Sequence, residues 1–147
     1  MKTFWDLDKC YYLNLLTVGN EIRKVTLELW NSDWCGTDDG PTFEIRTQKG
    51  ETRRVTRSFS PANLGDTLQW DNFNGKLGNG IDNSGNVSGL KVSGASLRFK
   101  LIGQSWDDFC PKRFKVVTYD GTVYQSSEMN DWVDQGKGNH YRTAYKV

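Results

Sequence analysis

Two short stretches gather most of the residues that could do chemistry. "WNSDWCGTDDG", residues 30–40, holds Trp30, Asp33, Trp34, Cys35, Asp38 and Asp39, and "GQSWDDFCPK", residues 103–112, holds Trp106, Asp107, Asp108 and Cys110. Aspartates from two neighbouring loops suit a hard cation, because calcium takes about six to eight oxygen ligands in flexible geometry. Asp33, Asp38, Asp39, Asp107 and Asp108 are therefore candidate metal ligands, and Ca2+ is the cofactor they imply. Their spacing lacks the fixed ligand order of an EF-hand. The bland alternative is that they are solvated turn formers. Trp30, Trp34 and Trp106 are candidate contact residues, since an indole offers a large apolar face and one polar N–H to a lipid headgroup, a sugar ring or a protein groove. The alternative is that the rings fold back over the end of the domain. Cys35 and Cys110 are either bridged, closing a loop of about 75 residues and stabilising by about 4 kcal/mol, or two buried thiols.

Other chemistries find little support. The chain has one histidine, His140, and no GxSxG elbow, so no hydrolase triad can be assembled. "GNGIDNSGNVSG" is Gly-rich but carries no Lys-Ser/Thr step and no following helix pattern, unlike a phosphate loop. Three scattered cysteines without a CxxC give no zinc spacing. The expectation is a non-catalytic chain. Lys+Arg 19 against Asp+Glu 18 makes no electrostatic case for nucleic acid. Arg46, Lys49, Arg53, Arg54 and Arg57 do cluster, and either meet a polyanion or protect an edge strand by charge. No run of 18 apolar residues occurs.

The elements that must position these loops are strands. "VTLEL" alternates, with Val25, Leu27 and Leu29 inward. "PTFEIRTQKG" puts Phe43 and Ile45 inward, then turns at Lys-Gly into "ETRRVTRSF". "TLQWDNF" is a further strand. Residues 74–89 are Gly, Asn and Ser-rich and read as a long loop with at most a short strand. "SLRFKLI" sends Leu97, Phe99 and Leu101 inward. "RFKVVTYDGTVYQ" is a hairpin with Asp-Gly at its turn, and the tail holds a short strand near its end. No helical period is sustained. With 147 residues and 13% aromatics, this is one all-β domain: an antiparallel two-sheet β-sandwich of about eight strands. In a sandwich the loops gather at two ends, so 30–40 and 103–112 are expected at the same one.

The order of these features resembles the PLAT domain, also called the LH2 or lipoxygenase-homology domain, over roughly residues 25–134. The similarity lies in "CGTDDGPTFEI", with its Gly-Thr-Asp step before a strand, in the hairpin "TQKGETRRV", in "NLGDTLQWD", in "SLRFKLIGQSWDDFCPKRFKVVTYDGTVYQ", and in "DWVD" at 131–134. "FCPKRF" departs from it, with Cys and Pro where an uninterrupted strand is usual. The resemblance implies a PLAT-like eight-stranded sandwich and a non-catalytic targeting role toward a membrane or protein partner, in some members with calcium. It singles out Asp38 of the Gly-Thr-Asp step as a ligand.

Residues 1–24 fall outside the match and are expected to form an N-terminal arm, with 25–147 the single sandwich domain. Asp6, Asp8 and Lys9 interrupt any signal-peptide core. The expected location is nonetheless extracellular, with a cytosolic one the alternative. The arm carries Phe4, Trp5, Tyr11, Tyr12, Leu13, Leu15 and Leu16. That motivates a second expectation, self-association through residues 1–20 as a structural subunit. A third is a lectin-like module that uses the tryptophan faces on a sugar.

Overall fold

The computed structural model describes residues 19–38, 41–54, 62–73, 76–78, 83–86, 90–103, 107–134 and 139–147. Among them ten strands run in chain order: β1 Ile22–Leu29, β2 Thr42–Arg46, β3 Thr52–Arg54, β4 Thr67–Phe73, β5 Lys76–Gly78, β6 Asn83–Asn86, β7 Ser96–Ile102, β8 Pro111–Thr118, β9 Val123–Gln125 and β10 Tyr141–Lys146. Two of them, β5 and β6, lie inside the Gly/Asn-rich stretch. All pairings are antiparallel and form one curled ladder, β3-β2-β7-β10-β9-β8-β1-β4-β5-β6.

The curl folds the ladder into two facing layers. Phe43 of β2 meets the Trp70 ring of β4 edge-on at 4.8 Å and the Phe114 ring of β8 at 5.5 Å. Phe99 of β7 stacks on Phe114 at 4.2 Å. These rings come from strands on opposite sides of the ladder, so they span the core. Val25, Leu27, Leu29, Ile45, Leu97 and Leu101 are buried around them, as the alternation requires. Ile22 is buried too, although Val25 lies an odd step away. A register shift between Ile22 and Lys24 opposite Thr118 and Val117 restores it to the inner face.

The two expected hairpin turns are in place. Gly50, at φ 85°, closes β2 onto β3, and Thr47 N–H donates to Glu51 C=O at 2.9 Å. Gly121, at φ 84°, closes β8 onto β9. The Asp120 carboxylate there accepts from the Thr118 hydroxyl at 2.5 Å and the Thr122 N–H at 3.1 Å. These bonds hold its pKa below the usual aspartate value. β3 ends the ladder, and its Arg54 pairs with Glu44 at 3.0 Å, so charge does guard that edge. Val55 and Arg57 lie outside the described residues.

Ahead of β1, Gly19 and Glu21 accept the N–H groups of Asp120 and Tyr119, and Asn20 accepts that of Val92. Residues 19–24 are thus bonded into the sandwich. Residues 1–18, which carry Cys10 and most of the arm, lie outside the described residues.

Candidate functional site

The loop after β1 and the loop before β8 meet at one end of the sandwich. Trp30 N–H donates to Cys110 C=O at 3.0 Å, and Cys110 N–H to Cys35 C=O at 3.2 Å. Cys35 and Cys110 are joined by a disulfide, with Cα atoms 4.7 Å apart. A third segment, 62–66, closes the end. Thr37 and Ala62 exchange N–H···O=C bonds at 2.7 and 2.8 Å, and Gly65 N–H donates to Trp30 C=O at 3.1 Å. Gly36 permits this approach, because a Cβ there would sit 2.7 Å from Ala62 O.

Trp34 is the outermost residue of the end. It is 86% exposed and sits at φ 68°, the left-handed region that side chains other than glycine rarely occupy. The cost of that conformation is about 1 kcal/mol or more. Nothing in the packing of its own side chain offsets it. The bonded Cys35 and Thr37 on its C-terminal side hold the turn instead. Beside Trp34, Leu64 is 44% exposed. The two border an open cleft of about 340 Å³ together with Gly36, Asp38, Ala62 and Asp107.

Trp30 is placed differently. Its indole N–H donates to Met129 C=O at 2.6 Å, and the Lys112 ammonium lies 4.8 Å from its ring centre. Half-buried and bonded, it anchors the segment 129–133 to the end of β1. That segment is also held by Val133 against Phe109 and by Asp131, whose carboxylate takes a two-pronged contact from Arg142 at 2.6 and 2.9 Å. The Arg142 hydrogen bonds hold the Asp131 pKa below its usual value. Trp132 stands 46% exposed beside a second cleft of about 280 Å³, shared with Asp33, Asp131 and the disulfide.

The aspartates therefore divide. Asp38 and Asp107 come together, with Asp107 Oδ2 accepting the Asp38 N–H at 2.5 Å. Asp108 is half-buried in the same loop as Asp107, and Asp33 lines the other cleft. Asp39 and Trp106 lie outside the described residues. Among the described residues no group of three or more His, Cys, Asp or Glu is gathered as a metal site. Sequence reasoning passed over Leu64 and gave Trp132 only as part of the "DWVD" resemblance, not as a contact residue. The signal for Leu64 was an apolar residue stranded in the turn cluster "SPANLGD", where no strand could bury it.

No known family profile matches the chain, and no curated protein sequence is similar to it. Solved structures do match. A lipoxygenase variant superposes over 86% of this chain with a TM-score of 0.54 at 17% identity. Coral 8R-lipoxygenase, described as activated by calcium through a C2-like domain, superposes over 85% with a TM-score of 0.51 at 16% identity. The chain spans only 16% and 17% of the length of those two proteins. The sandwich expected from the PLAT resemblance is thus the fold this chain shares with a β-sandwich portion of the lipoxygenases.

Proposed function

We propose that the chain is a non-catalytic targeting module that docks its loop end on a membrane surface, with Trp34 as the leading contact. The observation that carries this is the pairing of strain and exposure at Trp34: a left-handed tryptophan that is 86% exposed stabilises nothing in its own fold. Leu64 beside it and Trp132 near the neighbouring cleft extend the apolar rim. Tryptophan favours the headgroup layer, where its ring is buried and its N–H stays wet.

Calcium is the finer part of the proposal. Asp38 and Asp107 would supply ligands from two loops, with Asp39 and Asp108 as their sequence neighbours. Support comes from the Asp38–Asp107 contact and from the calcium activation described for the coral enzyme. A cation there would offset the repulsion of carboxylates at the cleft and draw anionic headgroups toward Trp34. The disulfide suits an oxidising compartment, so we place the working site outside the cytosol.

Co-sedimentation with phosphatidylcholine/phosphatidylserine vesicles, in calcium and in chelator, tests both parts. Wild type should pellet with vesicles and Trp34→Ala should stay in solution. Equal pelleting of the two proteins would end the membrane proposal. Equal pelleting of wild type in calcium and chelator would remove only the cation.

A further inference from the structure

A second surface lies on the outer face of the layer formed by β10, β7, β2 and β3. The register sets its residues in rows across the strands. One row reads Tyr141, Lys100, Glu44, Arg54; the next reads Thr143, Arg98, Arg46, Thr52. Four cations thus share this face with one carboxylate. That carboxylate is already engaged: Glu44 pairs with Arg54 at 3.0 Å and accepts the Tyr141 hydroxyl.

Arg46 and Arg98 stand directly opposite each other on neighbouring strands, where backbones are about 5 Å apart. Like charges so placed destabilise a sheet. Neither is in an ion pair with a carboxylate among the described residues, and both are exposed. The Tyr141 ring offers partial relief: Lys100 Nζ lies 4.7 Å, and the Arg98 and Arg46 guanidinium carbons 5.1 and 6.0 Å, from its centre. Three cations on one ring exceed what its two faces can hold. The face therefore carries an unbalanced guanidinium pair, flanked by the hydroxyls of Thr143 and Thr52. Ser96, bonded to Gln48 at 3.4 Å, and the 61% exposed ring of Tyr145 complete the next row.

We propose that this face binds a sulfated polysaccharide, with Arg46 and Arg98 clasping one sulfate and Tyr145 stacking on an adjoining sugar ring. Guanidinium forks match tetrahedral oxyanions with several acceptor oxygens. Hydroxyls beside them accept from and donate to a polyol, and an exposed sheet face admits a polymer where a pocket would not. Position separates this site from the loop end. β2 leaves the Asp38 loop at Thr42, and Arg46 lies four residues along, about 13 Å further. A membrane met end-on by Trp34 would not reach it, which favours a soluble polymer over a lipid headgroup. The choice of a soluble polymer over a lipid headgroup rests on the membrane reading; the guanidinium pair itself does not.

The test is calorimetric titration with a heparin octasaccharide, against an unsulfated hyaluronan octasaccharide. Wild type should bind the first and ignore the second. Arg46→Gln with Arg98→Gln should weaken heparin binding at least about tenfold. It should also leave the melting temperature unchanged or higher, because a repulsive pair is removed. Lys49→Gln with Arg53→Gln removes the same charge from outside the two rows and should weaken binding by no more than about twofold. Equal weakening by both pairs would reduce the effect to general charge and overturn the site. So would absent heparin binding, equal binding of hyaluronan, or a melting temperature several degrees lower in the Arg46/Arg98 variant. Binding to phosphoinositide vesicles in place of heparin, lost in that variant, would assign the face to lipid instead and overturn the proposal.

Discussion

The Asp107 carboxylate accepts the backbone N–H of Asp38 at 2.5 Å, although 69 residues separate them in sequence. One loop therefore reports directly on the other. If a cation joins this pair, millimolar calcium should raise the melting temperature by several degrees, because binding to the folded state alone stabilises by about 2.7 kcal/mol at a hundredfold excess over Kd. Magnesium should do less, since it demands tighter octahedral geometry. Asp38→Asn should blunt the calcium effect, whereas Asp120→Asn should not, because Asp120 is occupied in its hairpin turn. Thermal melts in calcium, magnesium and chelator decide it; coincident curves would reduce Asp38 and Asp107 to turn formers.

Trp34→Gly should separate stability from binding. Glycine accepts φ 68° without steric cost, and the lost side chain is almost wholly in water. After glycine's greater unfolded-state entropy is charged against it, a gain of about 0.5–1 kcal/mol is expected in urea unfolding. Vesicle pelleting should fall in the same variant. A protein that is both less stable and less bound would mean that Trp34 packs in the fold.

Removing the bridge should loosen the whole end. Cys35→Ser with Cys110→Ser should cost about 2–4 kcal/mol, and the protease sensitivity of residues 30–38 should rise. Peptide mapping without reductant should recover Cys35 joined to Cys110. A Cys10–Cys35 peptide would break the account of the shared loop end.

Acid should weaken the sandwich through two carboxylates, Glu44 on the outer sheet face and Asp131 at the loop end. Burial pulls the Glu44 carboxyl up, but hydrogen bonds from Tyr141 and Arg54 and the charges of Arg54 and Lys100 outweigh it and hold the group below its ordinary 4.5. Asp131 lies below its ordinary 3.8 through Arg142. Both folded-state values are depressed. Their contribution is therefore fully present above about pH 4.5 and is lost as pH falls through the lower folded values. Urea midpoints from about pH 6 down to about pH 2 should drop below pH 4.5, and less steeply in Glu44→Gln. A Glu44→Gln curve parallel to wild type would exclude Glu44 as a source of the acid sensitivity.

In the core, Phe114→Ala should cost about 3–5 kcal/mol. Phe114 joins the layers through Phe99 at 4.2 Å and Phe43 at 5.5 Å, so denaturant unfolding should show the loss directly. A cost under about 1 kcal/mol would mean that the layers repack without it.

The parts legible in the sequence were those written in a two-residue period or in turn chemistry. Val25, Leu27 and Leu29 in β1 and Leu97, Phe99 and Leu101 in β7 face inward as their alternation requires, and Gly50 and Gly121 turn where expected. Parity names a face but not what lies over it. Glu44 has outward parity, yet it is only 8% exposed, because Arg54 and Tyr141 cover it from neighbouring strands. Trp30 has outward parity as well, and a carbonyl 99 residues away takes its N–H. β5 and β6 were hidden because Gly and Asn are poor strand formers; their ladder is carried by backbone bonds to β4 and to each other. At the loop end, composition marked the two loops but not the third segment, 62–66, that closes it.

β10 lies between β7 and β9, and only Tyr145 and Lys146 join it to β9. The last of the described strands in chain order thus lies inside the ladder and not at its edge. While the ribosome is still short of Tyr141, the nascent chain holds two sheet halves with open edges at β7 and β9 and no strand to join them. Closure of this ladder must wait for β10, and until then both edges can pair with other chains. A chaperone that covers the β7 and β9 edges until β10 has emerged would raise the yield of this protein more than one that releases the chain before then.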